Sequence, residues 1–224
     1  MPDDNHENIL RDSQLASLGK MLAGYSHELK NHLAIINESA GLMDDLLEMG
    51  SIDDEQSVQR FKKSISLICE RINQADTMAK YMNSFAHKMD VPVSNFDVNE
   101  LLIEELAFLD RFFWTKSASL HKELQPDLPT VSNNPSLLQF VIFTYIHRII
   151  SGIDSGGEIA VTSQLKGQDI LIIIEASNIP VSVIDQDSSD EVAIKYAIDK
   201  MGIAMTEETL TDDRNKTTLI IPAA

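Results

Sequence analysis

Apolar residues at Leu15, Leu18, Leu22, Tyr25, Leu29, Ile36 and Met43 recur at steps of three, four and seven. That spacing is a heptad seam on a long helix, and such a seam needs a second helix to cover it. With Leu22 as position a, His27 falls at f, facing away from the covering helix. Glu28 follows it, and Asn31 lies one turn on, on the same exposed face. An imidazole on a rigid rod, with a carboxylate and an amide beside it, suits a nucleophile that serves a visiting partner. The same residues also describe an ordinary surface histidine.

The first helix is expected over about Glu7 to Met49. Gly50 supplies a stop, and the turn Ser51 to Glu55 brings an N-cap and an acidic first turn. A second helix carries Phe61, Ile65, Ile68, Ile72, Ala75, Met78, Met82 and Phe85 on one side. It continues to about Lys88, and Pro92 prevents it going further. Two long amphipathic helices on a short loop form an antiparallel hairpin. One hairpin cannot bury both stripes, so dimerisation into a four-helix bundle is the simple solution.

Beyond Pro92 the periodicity changes. A short strand is expected near residues 91–98, then a helix from Glu100 to about Thr115 capped by Asp97 or Asn99. Strands follow at Ser119–Leu124, Glu158–Ser163, Ile170–Glu175 and Thr217–Ile221, with Gly167 marking a hairpin. Pro135 opens a helix to about Gly152, and Asp190 to Met201 forms another, closed by Gly202. Helices on one face of a mainly antiparallel sheet make an α+β sandwich. The expected domains are a helical hairpin over 1–90 and a sandwich over 91–224.

The net charge of -17, from 18 basic and 35 acidic side chains, argues against nucleic acid or an anionic membrane as partner. Cys69 is the single cysteine, which excludes an internal disulfide and suits the cytosol. No apolar run reaches the roughly 20 residues a membrane span needs. The polar start is no signal peptide, so a cytoplasmic protein is expected, signalled to by another protein.

The run Leu15-Ala-Ser-Leu-Gly-Lys-Met-Leu-Ala-Gly-Tyr-Ser-His27-Glu28-Leu29-Lys30-Asn31-His32-Leu33 resembles the H-box of two-component sensor histidine kinases. Only the proline of that box is missing, replaced by His32. Phe96 to Leu102, Leu124 to Val131 and Asn134 to Val141 resemble phrases of the ATP-binding domain that follows it. The resemblance covers nearly the whole chain. It implies a dimeric bundle, an ATPase-type sandwich, and a phosphoryl group carried on His27.

The nucleotide features of that family are altered. An asparagine that would hold magnesium is replaced, by register, with His147, a poor ligand for a hard cation. The segment Glu175 to Pro180, where an Asp-x-Gly-x-Gly loop is expected, has no glycine. Residues 187–192 carry Asp187, Asp190 and Glu191 in place of a glycine-rich phosphate turn, and the stretch between Pro180 and Glu191 is too short for a lid. A phosphoacceptor beside a lost nucleotide site resembles the dimeric histidine phosphotransferases of phosphorelays. By that resemblance the chain has no cofactor of its own. His27 passes a phosphoryl group between aspartates of response-regulator receiver domains, fed by an upstream histidine kinase, and the receiver supplies the magnesium. Glu28 is expected to hydrogen-bond the imidazole, Lys30 to neutralise phosphate oxygens, and Asn31 to stand where a hydrolytic water is held. His32 falls at d and reads as a core histidine; His6, His87, His121 and His147 read as structural or incidental. The alternatives are a non-catalytic pseudokinase that binds a response regulator or a partner kinase, and an ATP-dependent sensor kinase.

Overall fold

The computed structural model describes residues 2–49, 54–153, 155–178, 189–211 and 214–223. Helix α1 runs Pro2–Glu48 and α2 runs Glu55–Lys88. The expected stop at Gly50 and cap at Ser51 lie outside the described residues. Asp54 caps α2, accepting from the Ser57 backbone N–H at 2.8 Å and from the Ser57 hydroxyl at 2.7 Å. The chain divides into two compact units, one of Leu22–Ser84 and one joining residues up to Met21 with those from Phe85 onward.

In Leu22–Ser84 the two helices bury the d row of α1, at His32, Ser39 and Leu46. The a row is only half covered: Leu29, Ile36 and Met43 are partly exposed, and Leu22 is 42% exposed. On the part of α2 within this unit the buried positions are Ser57 and Ser64, while Ile65 and Ile72 face out. Small hydroxyl side chains at the contact shorten the distance between helix axes. An apolar count along the sequence does not reveal that choice.

The second unit is a two-layer sandwich. Its five-stranded sheet has the order β2-β4-β5-β7-β6, from β2 (Ser119–Leu124), β4 (Glu158–Lys166), β5 (Asp169–Ser177), β6 (Ala204–Thr211) and β7 (Arg214–Pro222). Strand β2 pairs parallel with β4, and the other neighbours are antiparallel. A small ribbon pairs β1 (Ser94–Phe96) with β3 (Val131–Asn133). Helices α3 (Val98–Thr115), α4 (Pro135–Ser151) and α5 (Ser189–Met201) complete the unit. Alternate residues Ile159, Val161, Ile170, Ile172, Leu219 and Ile221 are buried on one sheet face. With Leu101, Leu102, Leu106, Leu138, Ile142 and Ile146 from α3 and α4 they form the core. Asp97 is the N-cap of α3, and Asn134 caps α4 just before Pro135. Asn99 does not cap: its amide donates to the Gln125 carbonyl at 2.7 Å and accepts from the Ser163 hydroxyl at 2.6 Å. Gly167 (φ 67°) turns the β4–β5 hairpin, and Gly202 (φ 63°) ends α5.

The start of α1 departs from expectation. It is helical from Pro2, and its polar first turns are held by partners distant in sequence. Glu7 accepts from Lys200 Nζ at 2.8 Å and from the Tyr196 hydroxyl at 3.1 Å, and the His6 ring lies 5.6 Å from that of Tyr196. Leu10 and Met21 are each 2% exposed. Sequence periodicity cannot register such contacts.

Candidate functional site

His27 is exposed on α1, as position f requires. Its Nδ1 lies 3.2 Å from Nδ2 of Asn31, and that amide also donates to Oε2 of Glu28 at 3.3 Å. Asn31, not Glu28, is therefore the hydrogen-bond partner of the imidazole. The reason is helical: residue i+1 is rotated about 100° away, while i+4 returns over the same spot. In the tautomer that carries its proton on Nε2, the ring accepts the Asn31 N–H at Nδ1. Lys30 is exposed one turn on from His27. Among the described residues no group of three His, Cys, Asp or Glu is arranged to hold a metal ion.

His147, Glu175, Asp190 and Glu191, which the resemblance sets against nucleotide features, each have partners within the sandwich. The His147 ring sits between Phe112, edge-on at 4.6 Å, and Phe143, stacked at 5.6 Å, with Nδ1 3.3 Å from the Ser151 hydroxyl. Burial, helped by the charge of Lys20, pushes its pKa down to about 4. It is a neutral aromatic packing group.

Asp190 and Glu191 are not the free repulsive charges expected of them. Glu191 is buried; it accepts from Arg148 Nη1 at 2.5 Å and lies 3.3 Å from Lys195 Nζ. Asp190 accepts from the Ser13 hydroxyl of α1. Glu191 is compensated by Arg148 and Lys195, while Asp190 is held by a neutral hydroxyl; through these contacts α5 attaches to α4 and α1. Glu175 belongs to the other face of β5 from buried Ile174 and Ala176, where Arg214 and Lys216 lie 3.8 and 3.9 Å away. Residues 179–188, which include Pro180 and Asp187 and the expected lid segment, lie outside the described residues.

Helix α1 itself runs along this region. Its Ser17 hydroxyl bonds that of Thr144 on α4 at 2.8 Å, fully buried, one turn before His147. On α4, Tyr145 bonds Thr217 of β7, and Arg148 lies 5.3 Å over the Tyr145 ring. Burial pushes the Tyr145 phenol up to about 12. The cavity between α1, the end of α2 and α4, lined by Leu18, Met21, Phe85, Phe140 and Phe143 among others, is about 30 Å³. That is room for a water, against the roughly 300–1,000 Å³ of ligand pockets. Sequence reasoning missed Ser13, Ser17 and Thr144; the spacing of four between Ser13 and Ser17 on α1 was the available signal.

The sequence matches no protein-family model, and no curated protein is significantly similar to it. Solved structures do match. The catalytic domain of histidine kinase ThkA aligns with 59% of this chain and 97% of its own length, at a TM-score of 0.52 and 15% identity. ThkA in complex with response regulator protein TrrA aligns with 99% of this chain and 66% of its own, at 0.51 and 19%. Acinetobacter baumannii histidine kinase AdeS aligns with 88% of this chain and 97% of its own, at 0.50 and 14%. The chain has a histidine-kinase-like fold. The alignment with the ThkA complex spans 99% of the chain, so the likeness in fold extends over the helical part as well as the α+β part. Among the described residues no helix is long and apolar enough to cross a membrane.

Proposed function

We infer that this chain is a histidine phosphotransferase of a two-component phosphorelay, working through His27 without ATP of its own. The observation that carries the reading is the contrast between two places. His27 stands exposed beside Asn31 and Glu28, open to a partner. The side chains standing in for the nucleotide features are occupied by the protein itself: His147 by two aromatic rings, Glu191 by Arg148, and Asp190 by Ser13.

The reaction is an in-line displacement. A ring nitrogen of His27 donates its lone pair to the phosphorus of a receiver acyl phosphate, forming the N–P bond. The P–O bond to the aspartate breaks, and that aspartate leaves as a carboxylate. The proton on the other ring nitrogen stays there, and reversal returns the group to a second receiver. The receiver brings the divalent cation that shields the phosphate oxygens. Lys30 adds a positive charge from the helix. The neighbour ThkA, crystallised with its response regulator, lends support to a receiver as partner. Half-covered Leu29, Ile36 and Met43, with exposed Leu22, Ile65 and Ile72, favour a homodimer.

The test is to incubate the full chain with a receiver labelled by acetyl phosphate. Label appearing on His27, and absent from His27→Ala, supports the reading. Receiver binding without transfer turns the protein into a scaffold, and labelling from ATP alone makes it a kinase.

A further inference from the structure

His32 carries a feature that phosphotransfer through His27 does not use. It replaces the proline of the H-box, occupies a d position and is 5% exposed. Its Nδ1 is buried with no hydrogen-bond partner. A leucine there would complete the seam without burying polar nitrogen, so the imidazole is the less stable choice for packing. Its other nitrogen, Nε2, lies 4.0 Å from Oε1 of Glu28. The second oxygen of Glu28 accepts from Asn31 at 3.3 Å, and the same amide reaches Nδ1 of His27 at 3.2 Å. Steps of three and four along one helix thus place a buried ring 4.0 Å from the carboxylate that accepts from Asn31, whose amide reaches the exposed ring.

We propose that His32 is a positioning residue for His27, acting through Glu28 and Asn31. The proposal rests on the phosphotransfer reading of His27. Glu28 and Asn31 alone are surface side chains with rotamer freedom. Holding one Glu28 oxygen near a ring fixed inside the hairpin restricts that freedom, as outer partners orient the inner ligands of metal sites. A carboxylate only accepts, so it draws the NH2 end of the Asn31 amide toward itself and toward His27 Nδ1. Amide orientation then selects which nitrogen of His27 holds the proton, and therefore which holds the lone pair. His32 in this way specifies the resting tautomer of a residue it never touches.

The ring nitrogens of His27 give a direct readout by 15N NMR of the full-length protein. In His32→Leu we expect their shifts to move toward those of Asn31→Ala, and phosphoryl uptake from a phosphorylated receiver to slow roughly tenfold. His32→Gln, which restores an N–H donor, returns both toward wild type. Glu28→Gln, at a half-exposed position that does not decide folding, moves the His27 shifts in the same direction. A folded His32→Leu protein with unchanged His27 shifts overturns the proposal, as does a normal signature in Glu28→Gln. If the wild-type protein takes up no phosphoryl group, the reading of His27 fails, while the ring shifts still decide the role of His32.

Discussion

His147 is kept neutral by its aromatic surroundings, and this makes a pH prediction. Its folded pKa of about 4 lies below the ordinary histidine value of 6.5, so the unfolded chain takes the proton first. The stability it contributes is present above about pH 6.5 and is lost as pH falls through 4. His147→Phe should flatten this part of the urea-midpoint profile between pH 6.5 and 4, since phenylalanine suits the same site between Phe112 and Phe143. Glu105 acts in the opposite sense. Both its oxygens are buried without a partner, and burial, then the charge of Glu104, holds its pKa well above the ordinary carboxylate value. Its contribution is complete below about pH 4.5 and declines as pH rises. Glu105→Gln should therefore raise the melting temperature at pH 8 and change little at pH 4. At this scale the sequence is partly legible. His27 and His32 were placed correctly by heptad register, because exposure and burial follow helical phase. The partner of the His27 ring was not, because adjacency in sequence was read as adjacency in space.

At the scale of elements, the first turns of α1 behave as part of the sandwich. Ser17→Ala removes a buried bond to Thr144 and should cost about 1 kcal/mol, seen as a lower urea midpoint at unchanged slope. Leu102→Ala, at a fully buried α3 position, should cost about 2–5 kcal/mol and serves as the reference for core loss. A long element with strong periodicity was readable, as α2 shows, and the short β2 was found at its expected bounds, Ser119–Leu124. Strand β6 was not, since every residue from Thr206 to Thr211 is exposed and no alternation marks it. Strand β3, three residues beyond a proline-punctuated loop, is too short to carry a pattern. The contacts of α1 with the sandwich were not legible, because Glu7, Ser13 and Ser17 find partners at 200, 190 and 144, separations that a local window does not span.

For the whole molecule, adding magnesium and ATP should leave the melting temperature unmoved. Binding at 100 times Kd would stabilise the protein by about 2.7 kcal/mol, well within what a thermal scan detects. Association with a receiver should slow as ionic strength rises, since a net charge of -17 steers a partner with basic surface from a distance. The fold was legible because both halves announce themselves by register and by the order of elements. What happened around the altered nucleotide features was legible only in part: missing glycines show in a sequence, while the pairing of Glu191 with Arg148 does not.

Strand β6 has a further consequence. It forms one border of the sheet, and its outer side offers backbone N–H and C=O groups that a second sheet could extend. Exposed Glu207 and Glu208 place like charges on that border, so two such borders repel each other at neutral pH. Near the isoelectric point of about 4.6 the overall charge of the protein fades, and edge-to-edge pairing of sheets becomes the expected route to precipitation.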